Sequence, residues 1–418
     1  MKRRVFLGSL AAGITAAPND QISLAVVGVG GMGTGHVRNL VKRTDIRISH
    51  LCDIDQAKRE RAGAIVQTAT GKTPSLVEDF RRLLEDKSIH ALVIATPHHW
   101  HVPVAILAMR AGKDVYVEKP ATHVFREGRL LIDAAAKYQR IVQHGTQMRS
   151  SEVTAKAGEI LKSGLLGPIK MSKAWNCQRH THKPPVANQS APPGVNYDLW
   201  LGPAAAREFN PNRFHGNWNW YREYGNGDIG GDGIHDLDMA RWGLGVTTHP
   251  IRITSHGSRI DLPAEREFAD NMTVAYQYAD DKVLLYEERA WTPYGAFGFD
   301  SVNAFYGSEG YMVFTRRGHF QVYLGRKEEK GPGITKGPTG HPEHLYDFLE
   351  CVRSRRQPIA NAEVAHLSCA LVHLGDIGFR VGRVLRFDPE KEQIIGDAES
   401  NAMLRKKYRA PWSNLDPA

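Results

Sequence analysis

From Ile22 the chain alternates short apolar runs with amphipathic stretches. Ser23-Leu-Ala-Val-Val-Gly-Val29 reads as a buried strand that runs straight into Gly28-Val-Gly30-Gly-Met-Gly33. A helix beginning near Met32 follows, and a second strand covers Ile46 to Cys52 and ends at Asp53. Lys58 to Thr68 and Val77 to Glu85 have helical periodicity, and Ala91 to Thr96 is an apolar strand that Pro97 stops. His101 to Ala111 reads as a helix closed by Gly112. Asp114 to Val117 is the next strand, reaching Glu118-Lys119-Pro120. This repeated alternation predicts a parallel, doubly wound α/β sheet whose ligand lies beyond the carboxyl ends of its strands.

Past Gly145 the periodicity changes. Val153 to Ser163 reads as a helix and Ile169 to Asn176 as a strand. Asn271 to Tyr278 and Lys282 to Trp291 alternate around Ala279-Asp-Asp281, and Val302 to Tyr306 and Tyr311 to Thr315 flank Gly307-Ser-Glu-Gly310. Consecutive hairpins of this kind predict a largely antiparallel sheet, with one face on a core and the other free for a partner subunit. The polar stretch Arg326 to Gly340 reads as a mobile loop. His344 to Ser354 and Asn361 to Gly382 are long helical patterns expected to pack back across both domains. The organisation read from this is an N-terminal segment 1–20, a first domain 21–146, a second domain 147–390 and a C-terminal tail 391–418.

Composition narrows the class. The 418 residues are 42% hydrophobic and 24% charged, which excludes disorder and leaves room for two sizeable cores. Four scattered cysteines without a CxxC pair exclude a zinc ribbon and a redox motif. The net charge of +9 includes Lys2, Arg3 and Arg4, and the remainder is spread rather than blocked, so no nucleic-acid partner is expected. Val5 to Ala17 is about half the length of a spanning helix. With Arg3-Arg4 before Phe6-Leu7, and small residues after, it has the layout of a twin-arginine export signal. The expectation is a periplasmic protein with no membrane attachment after processing; the alternative is a cytoplasmic protein with a frayed terminus.

The glycine run carries the first candidate chemistry. Gly28 permits a tight turn, Gly30 lets backbone approach a pyrophosphate, and Gly33 lets the next helix pack on the strand. Asp53, 25 positions after Gly28, stands where a carboxylate grips ribose hydroxyls and repels a 2′-phosphate, so NAD is expected rather than NADP. In the second half, Trp218, Trp220, Tyr221 and Tyr224 crowd a loop rich in Asn and Gly. These rings either face sugar rings or form a local hydrophobic cluster. Trp200 and Trp242 read as core. His235, at a helix start after Gly230-Gly-Asp232-Gly, can project into a cleft as an acid–base group. The pairs among His98, His99 and His101, His180/His182 and His341/His344 lack the third or fourth ligand at fixed spacing, and no metal is expected.

Gly28-Val-Gly-Gly-Met-Gly33, Ala95-Thr-Pro-His-His-Trp-His101, Ala111-Gly-Lys-Asp-Val-Tyr-Val-Glu-Lys-Pro120 and Gly230-Gly-Asp-Gly-Ile-His235 together resemble the glucose-fructose oxidoreductase/inositol dehydrogenase/rhizopine catabolism (Gfo/Idh/MocA) family, over about residues 22 to 390. The resemblance implies a Rossmann domain followed by an α/β domain on a large open sheet. It implies a cofactor site from Gly28, Gly30, Gly31, Met32, Gly33, Asp53, Thr96, Pro97, His98, Trp100, His101, Glu118, Lys119 and Gln147. It also implies Lys119 and His235 as catalytic groups, with a substrate lying against Lys119, Trp218, Trp220, Tyr221, Asp232 and His235. An acidic residue commonly sits four positions before the family's histidine. Here that place is Gly231, and Asp232 is the candidate substitute. The implied activity is NAD(P)-dependent dehydrogenation of a sugar, polyol or glycoside by a homo-oligomer. The alternatives are an NAD-dependent glycosidase working by transient oxidation, elimination, hydration and re-reduction, and a non-catalytic NAD-binding protein.

Overall fold

The computed structural model of the protein describes residues 21–181, 184–261 and 265–415, so the twin-arginine-like segment lies outside the described residues. The first domain is built on six strands: β1 (Ile22–Val27), β2 (Ile46–Cys52), β3 (Ser75–Val77), β4 (Ala91–Ile94), β5 (Asp114–Val117) and β6 (Val142–His144). They lie in the order β3-β2-β1-β4-β5-β6, all parallel. Helices α1 (Gly31–Leu40), α2 (Gln56–Thr70), α3 (Arg81–Glu85), α4 (His98–Arg110) and α5 (Phe125–Tyr138) connect them. Every residue of β1, β4 and β5 is buried, which is why these runs are apolar without alternation. Val77 to Glu85 is not one helix. It splits into β3 and α3 because Asp79 accepts the Arg81 N–H at 2.9 Å and starts the helix late.

The second domain adds α6 (Glu152–Lys162), β7 (Met171–Asn176), α7 (Tyr197–Leu201), α8 (Gly227–Gly231), α9 (Gly233–Leu244), β8 (Arg252–Ser258), β9 (Asn271–Gln277), β10 (Val283–Arg289), β11 (Ser301–Tyr306), β12 (Gly310–Thr315), β13 (His319–Leu324) and β14 (Glu329–Ile334). Then come α10 (His341–Ser354), α11 (Ala362–Val381), β15 (Leu385–Asp388), β16 (Gln393–Ile394) and α12 (Ala398–Met403). The ten strands form one open sheet, β14-β13-β12-β11-β7-β10-β9-β8-β15-β16. Only the β7–β10 pairing is parallel. The fold class is therefore α/β: a parallel Rossmann sheet plus a large, mostly antiparallel one.

Two expectations fail here. The polar stretch 326–340 contains β14, which pairs with β13 on one side only; its Pro332 falls at the register shift, where the missing N–H breaks no ladder bond. The segment after residue 390 is not a free tail. Glu392 is buried and accepts hydrogen bonds from His366 (2.8 Å), His249 (3.3 Å) and the Arg129 guanidinium. Further along, Tyr408 donates to Glu127, and Trp412 stacks on Phe80 and meets Trp100 edge-on, so this segment fastens the two domains together. The long helices do the same. Leu345 and Phe348 of α10 share a core with Leu24, Val26 and Val93 of the first sheet, while α11 lies between α5 and the second sheet.

Candidate functional site

A cavity of about 350 Å³ opens at the carboxyl ends of β1, β2, β4 and β5. Its floor is the glycine turn. Gly28 has φ +82°, and a Cβ there would come within 2.6 Å of the Ala95 carbonyl oxygen; at Gly33 it would come within 1.8 Å of the Gly28 oxygen. At Gly30 the nearest atom is the Lys58 Nζ at 3.7 Å, and at Gly31 nothing lies within 4 Å. Gly33 is thus a packing requirement, while Gly30, Gly31 and Met32 leave space open at the amino end of α1, where free N–H groups favour a phosphate. These residues fit a dinucleotide.

Asp53 faces the same cavity from the end of β2. Its Oδ2 accepts the Val29 N–H at 2.8 Å and its Oδ1 the Asp55 N–H at 3.1 Å, so the carboxylate shapes the glycine turn and keeps lone pairs for a ligand. Burial raises its pKa above the ordinary value. Over this end of the cavity, His215 bonds Asp55 (2.8 Å) and Lys58 (2.8 Å), joining the loop of the second domain to the first.

At the other end, Thr96, Pro97, His98, Trp100, His101, Glu118 and Lys119 all line the cavity. His98 is buried; its Nδ1 meets the Asn226 Oδ1 at 2.9 Å, and its ring meets Trp218 edge-on. Both His101 nitrogens are engaged by carbonyls, of Pro120 (2.7 Å) and Thr96 (2.8 Å), so His101 braces the two strand ends. Glu118 is fully buried. Burial alone would raise its pKa, but the His36 hydrogen bond at 2.8 Å and the nearby Lys119 ammonium bring it down to about 2. Gln147 does not line the cavity; it donates to Glu118 at 3.1 Å.

Lys119 reaches out of this framework and donates through Nζ to the backbone oxygen of Gly231, at the break between α8 and α9. His235, in the first turn of α9, is 8% exposed, and its ring has no hydrogen-bond partner among the described residues. Burial, with Lys119 and Arg316 nearby, pushes its pKa well below the ordinary value, so the ring is neutral. The Asp232 carboxylate does not bond the His235 ring; only the Asp232 backbone oxygen accepts the His235 N–H, at 3.1 Å. The carboxylate pairs with Arg316 at 3.2 Å, and although burial opposes ionisation, Lys119 and Arg316 keep it ionised. Gly231 is glycine for a local reason: a Cβ there would lie 2.7 Å from Asn219 Nδ2, which donates to the Gly227 oxygen.

Of the aromatic loop, Trp218 alone reaches the cavity. Trp220 and Tyr221 are 4% and 1% exposed, in a cluster with Phe209, Phe214 and Phe268. For these two the cluster reading holds, because the loop needs its own core. Trp200 is buried yet borders the cavity, and Trp242 packs on Phe305 and Phe314. His344 bonds Ser150 and the His144 oxygen, a structural role. The sequence reading missed Asn176, Asp228 and Arg316. Asp228 and Asp232 are four apart around one helical turn, a spacing that places two carboxylates on one face and was the available signal.

Residues 22–146 match the model of an oxidoreductase family's NAD-binding Rossmann fold, and residues 154–414 match that family's C-terminal α/β domain. The chain belongs to the Gfo/Idh/MocA oxidoreductase family. Its first domain is accordingly an NAD-binding Rossmann domain. Among relatives, this family member is 25% identical to scyllo-inositol 2-dehydrogenase (NAD(+)) of Bacillus subtilis over 377 residues, 89% of this chain and 98% of that protein. It is also 25% identical to the alpha-N-acetylgalactosaminidase of Shewanella oneidensis, over 42% of this chain and 41% of that one, less than half its length. Among solved structures, levoglucosan dehydrogenase in complex with NADH and levoglucosan superposes with a TM-score of 0.68 at 18% identity, covering 87% of this chain and 99% of that one.

Proposed function

We propose that this Gfo/Idh/MocA oxidoreductase oxidises a secondary hydroxyl of a sugar or polyol with NAD. The observation that carries the reading is the place of Lys119: its ammonium lines the cofactor cavity and bridges to the α8–α9 break of the second domain. When bound, NAD supplies the hydride acceptor. Lys119 holds the substrate oxygen and stabilises negative charge as it develops there. His235, its ring neutral and without a hydrogen-bond partner among the described residues, directs the same hydroxyl from the α9 side of Lys119. Trp218 presents an apolar face beside His98, suited to a sugar ring. Asp53 engages the ribose hydroxyls and sets the preference for NAD over NADP. The match to the inositol dehydrogenase along nearly its whole length supports a polyol substrate.

The reading is tested by incubating the purified protein and NAD with scyllo-inositol, myo-inositol, levoglucosan and an N-acetylgalactosaminide, following reduced nicotinamide by absorbance. Net reduction with a polyol is expected. Aglycone release without net reduction would instead favour the glycosidase reading, which the partial match to the Shewanella enzyme keeps in view.

Two finer readings accompany this one. The outer face of the second sheet stacks Tyr306 on Tyr311 and Tyr311 on Tyr323, with Phe297, 47% exposed, beside Tyr311, a surface suited to a second copy of the chain. Arg3-Arg4 would carry the folded protein, cofactor loaded, to the periplasm.

A further inference from the structure

Next to the α8–α9 break that Lys119 grips, and outside the lining of the cofactor cavity, lies a second pair of ionisable groups. Asp228, on α8, is 1% exposed, and both its oxygens are engaged: Oδ2 accepts from Asn176 Nδ2 at 2.8 Å and Oδ1 meets His180 Nε2 at 2.9 Å. Asn176 is itself fixed, since its own Oδ1 accepts from Gln178 at 2.9 Å, so its amide must donate to Asp228. The His180 proton therefore sits on Nε2, and Nδ1 carries the free lone pair. Nδ1 makes no hydrogen bond among the described residues, and the side chain is 31% exposed. The backbone holds His180 in place, its N–H donating to the Ala290 oxygen at 2.9 Å, and Trp220 packs edge-on against the ring. One ligand atom each of His180, Asp228 and Asp232 lies within 4.8 Å of the others, and Asp232 follows the residue whose carbonyl Lys119 grips.

We propose that His180 is the group that takes the hydroxyl proton, with Asp228 as its positioning residue. The inference rests on the dehydrogenase reading above. In the step, the hydroxyl O–H bond breaks and its proton passes to His180 Nδ1. The carbinol C–H pair leaves as hydride to the oxidised nicotinamide, and a C=O bond forms. A proton needs a place where the charged form is stable, and the two histidines differ in this. His235 has no carboxylate partner, and Lys119 and Arg316 oppose its charging. His180 is partly buried, which lowers its pKa, and Arg266 lowers it too; Asp228 and Asp232 outweigh both and raise it above the ordinary value. The acid absent at Gly231 is thus replaced by a histidine–carboxylate pair from the segment after β7 and from α8. A divalent cation on His180, Asp228 and Asp232 is disfavoured, because Asn176 and Arg316 already donate to the two carboxylates.

The test uses the holoprotein with NAD and scyllo-inositol as probe. His180→Gln should lower kcat about a hundredfold with KM little changed, the range of a positioned base. In the parent enzyme kcat should rise with pH through the His180 ionisation; Asp228→Asn should move that limb to lower pH, and His235→Ala should keep it. The limb persisting in His180→Gln, or vanishing in His235→Ala alone, would overturn the proposal, as would activity that needs added Mn²⁺ or Zn²⁺ after chelation. A second readout needs no turnover: the imidazole resonance of His180 should titrate above that of an ordinary histidine and fall in Asp228→Asn. If no polyol is oxidised, the dehydrogenase reading fails. The titration then judges the pair separately, and an unmoved midpoint in Asp228→Asn sinks it.

Discussion

The ammonium of Lys119 donates to the backbone oxygen of Gly231, so a strand end of the first domain is tied to the helix break of the second. Because residue 231 contributes only a carbonyl, the nearest carboxylates stand elsewhere, on Asp228 and Asp232. Asp232 is committed to Arg316. Replacing it should therefore act through the local field and not through His235: Asp232→Asn is expected to lower kcat only several-fold, against about a hundredfold for a group touching the hydroxyl. Steady-state kinetics with scyllo-inositol distinguish the two, and a hundredfold loss would mean that Asp232 handles the proton itself.

Asp53 accepts the Val29 N–H, and in the proposed reading it also engages the ribose. Asp53→Ala should weaken NAD binding about tenfold or more, with NADP losing less, and should lower the melting temperature because a turn N–H loses its acceptor. Calorimetric titration with both cofactors reads the first effect. Tighter NADP than NAD binding by the unmutated protein would contradict the assignment.

Glu118 and Glu127 make opposite contributions across pH. Glu118 is held at about 2, below its ordinary 4.5, so it stabilises the fold above about pH 4.5 and that support disappears as pH falls toward 2. The shift corresponds to something on the order of 3 kcal/mol. Burial lifts Glu127 to about 7, despite hydrogen bonds from Tyr408 and the His123 N–H. The unfolded carboxyl ionises from about pH 4.5 while the folded one stays protonated up to about 7, so its contribution is lost as pH rises between those values and levels off above. Melting temperatures across pH should show the fall below pH 4.5 diminished in Glu118→Gln and the decline between about pH 4.5 and 7 diminished in Glu127→Gln. Unchanged profiles in both would rule out these carboxylates as the titrating groups.

The first sheet was readable because its strands are buried on both faces and its turns need glycine at fixed places; Gly28 and Gly33 are sterically required, and the strand ends follow. The second sheet was half readable. Hairpins such as β9–β10 alternate cleanly, but β14 is an edge strand of Glu, Lys, Gly and Pro whose pairing depends on β13 and not on its own side chains. The cofactor side of the site was legible for the same reason as the turn. The pair His180–Asp228 was not, since its members are 48 residues apart and meet only once β7 and α8 pack together. Trp220 and Tyr221 show the converse: composition left a ligand face and a local cluster both open, and the rings lie in a small core.

Export should depend on the arginine pair. Changing Arg3 and Arg4 to lysines should retain the protein in the cytoplasm, as read by fractionation against a periplasmic marker. Unaltered localisation would remove the twin-arginine reading without touching the enzyme.

The most direct measurement compares the parent protein with Lys119→Ala, both loaded with NAD, for net reduction of the cofactor by scyllo-inositol and the related polyols. Lys119 lines the cavity but is one contact among many there, so NAD should remain bound while turnover falls about a hundredfold or more. Loss of turnover with NAD retained is the predicted result. Near-normal turnover in Lys119→Ala would contradict the assignment of the cleft to hydroxyl oxidation.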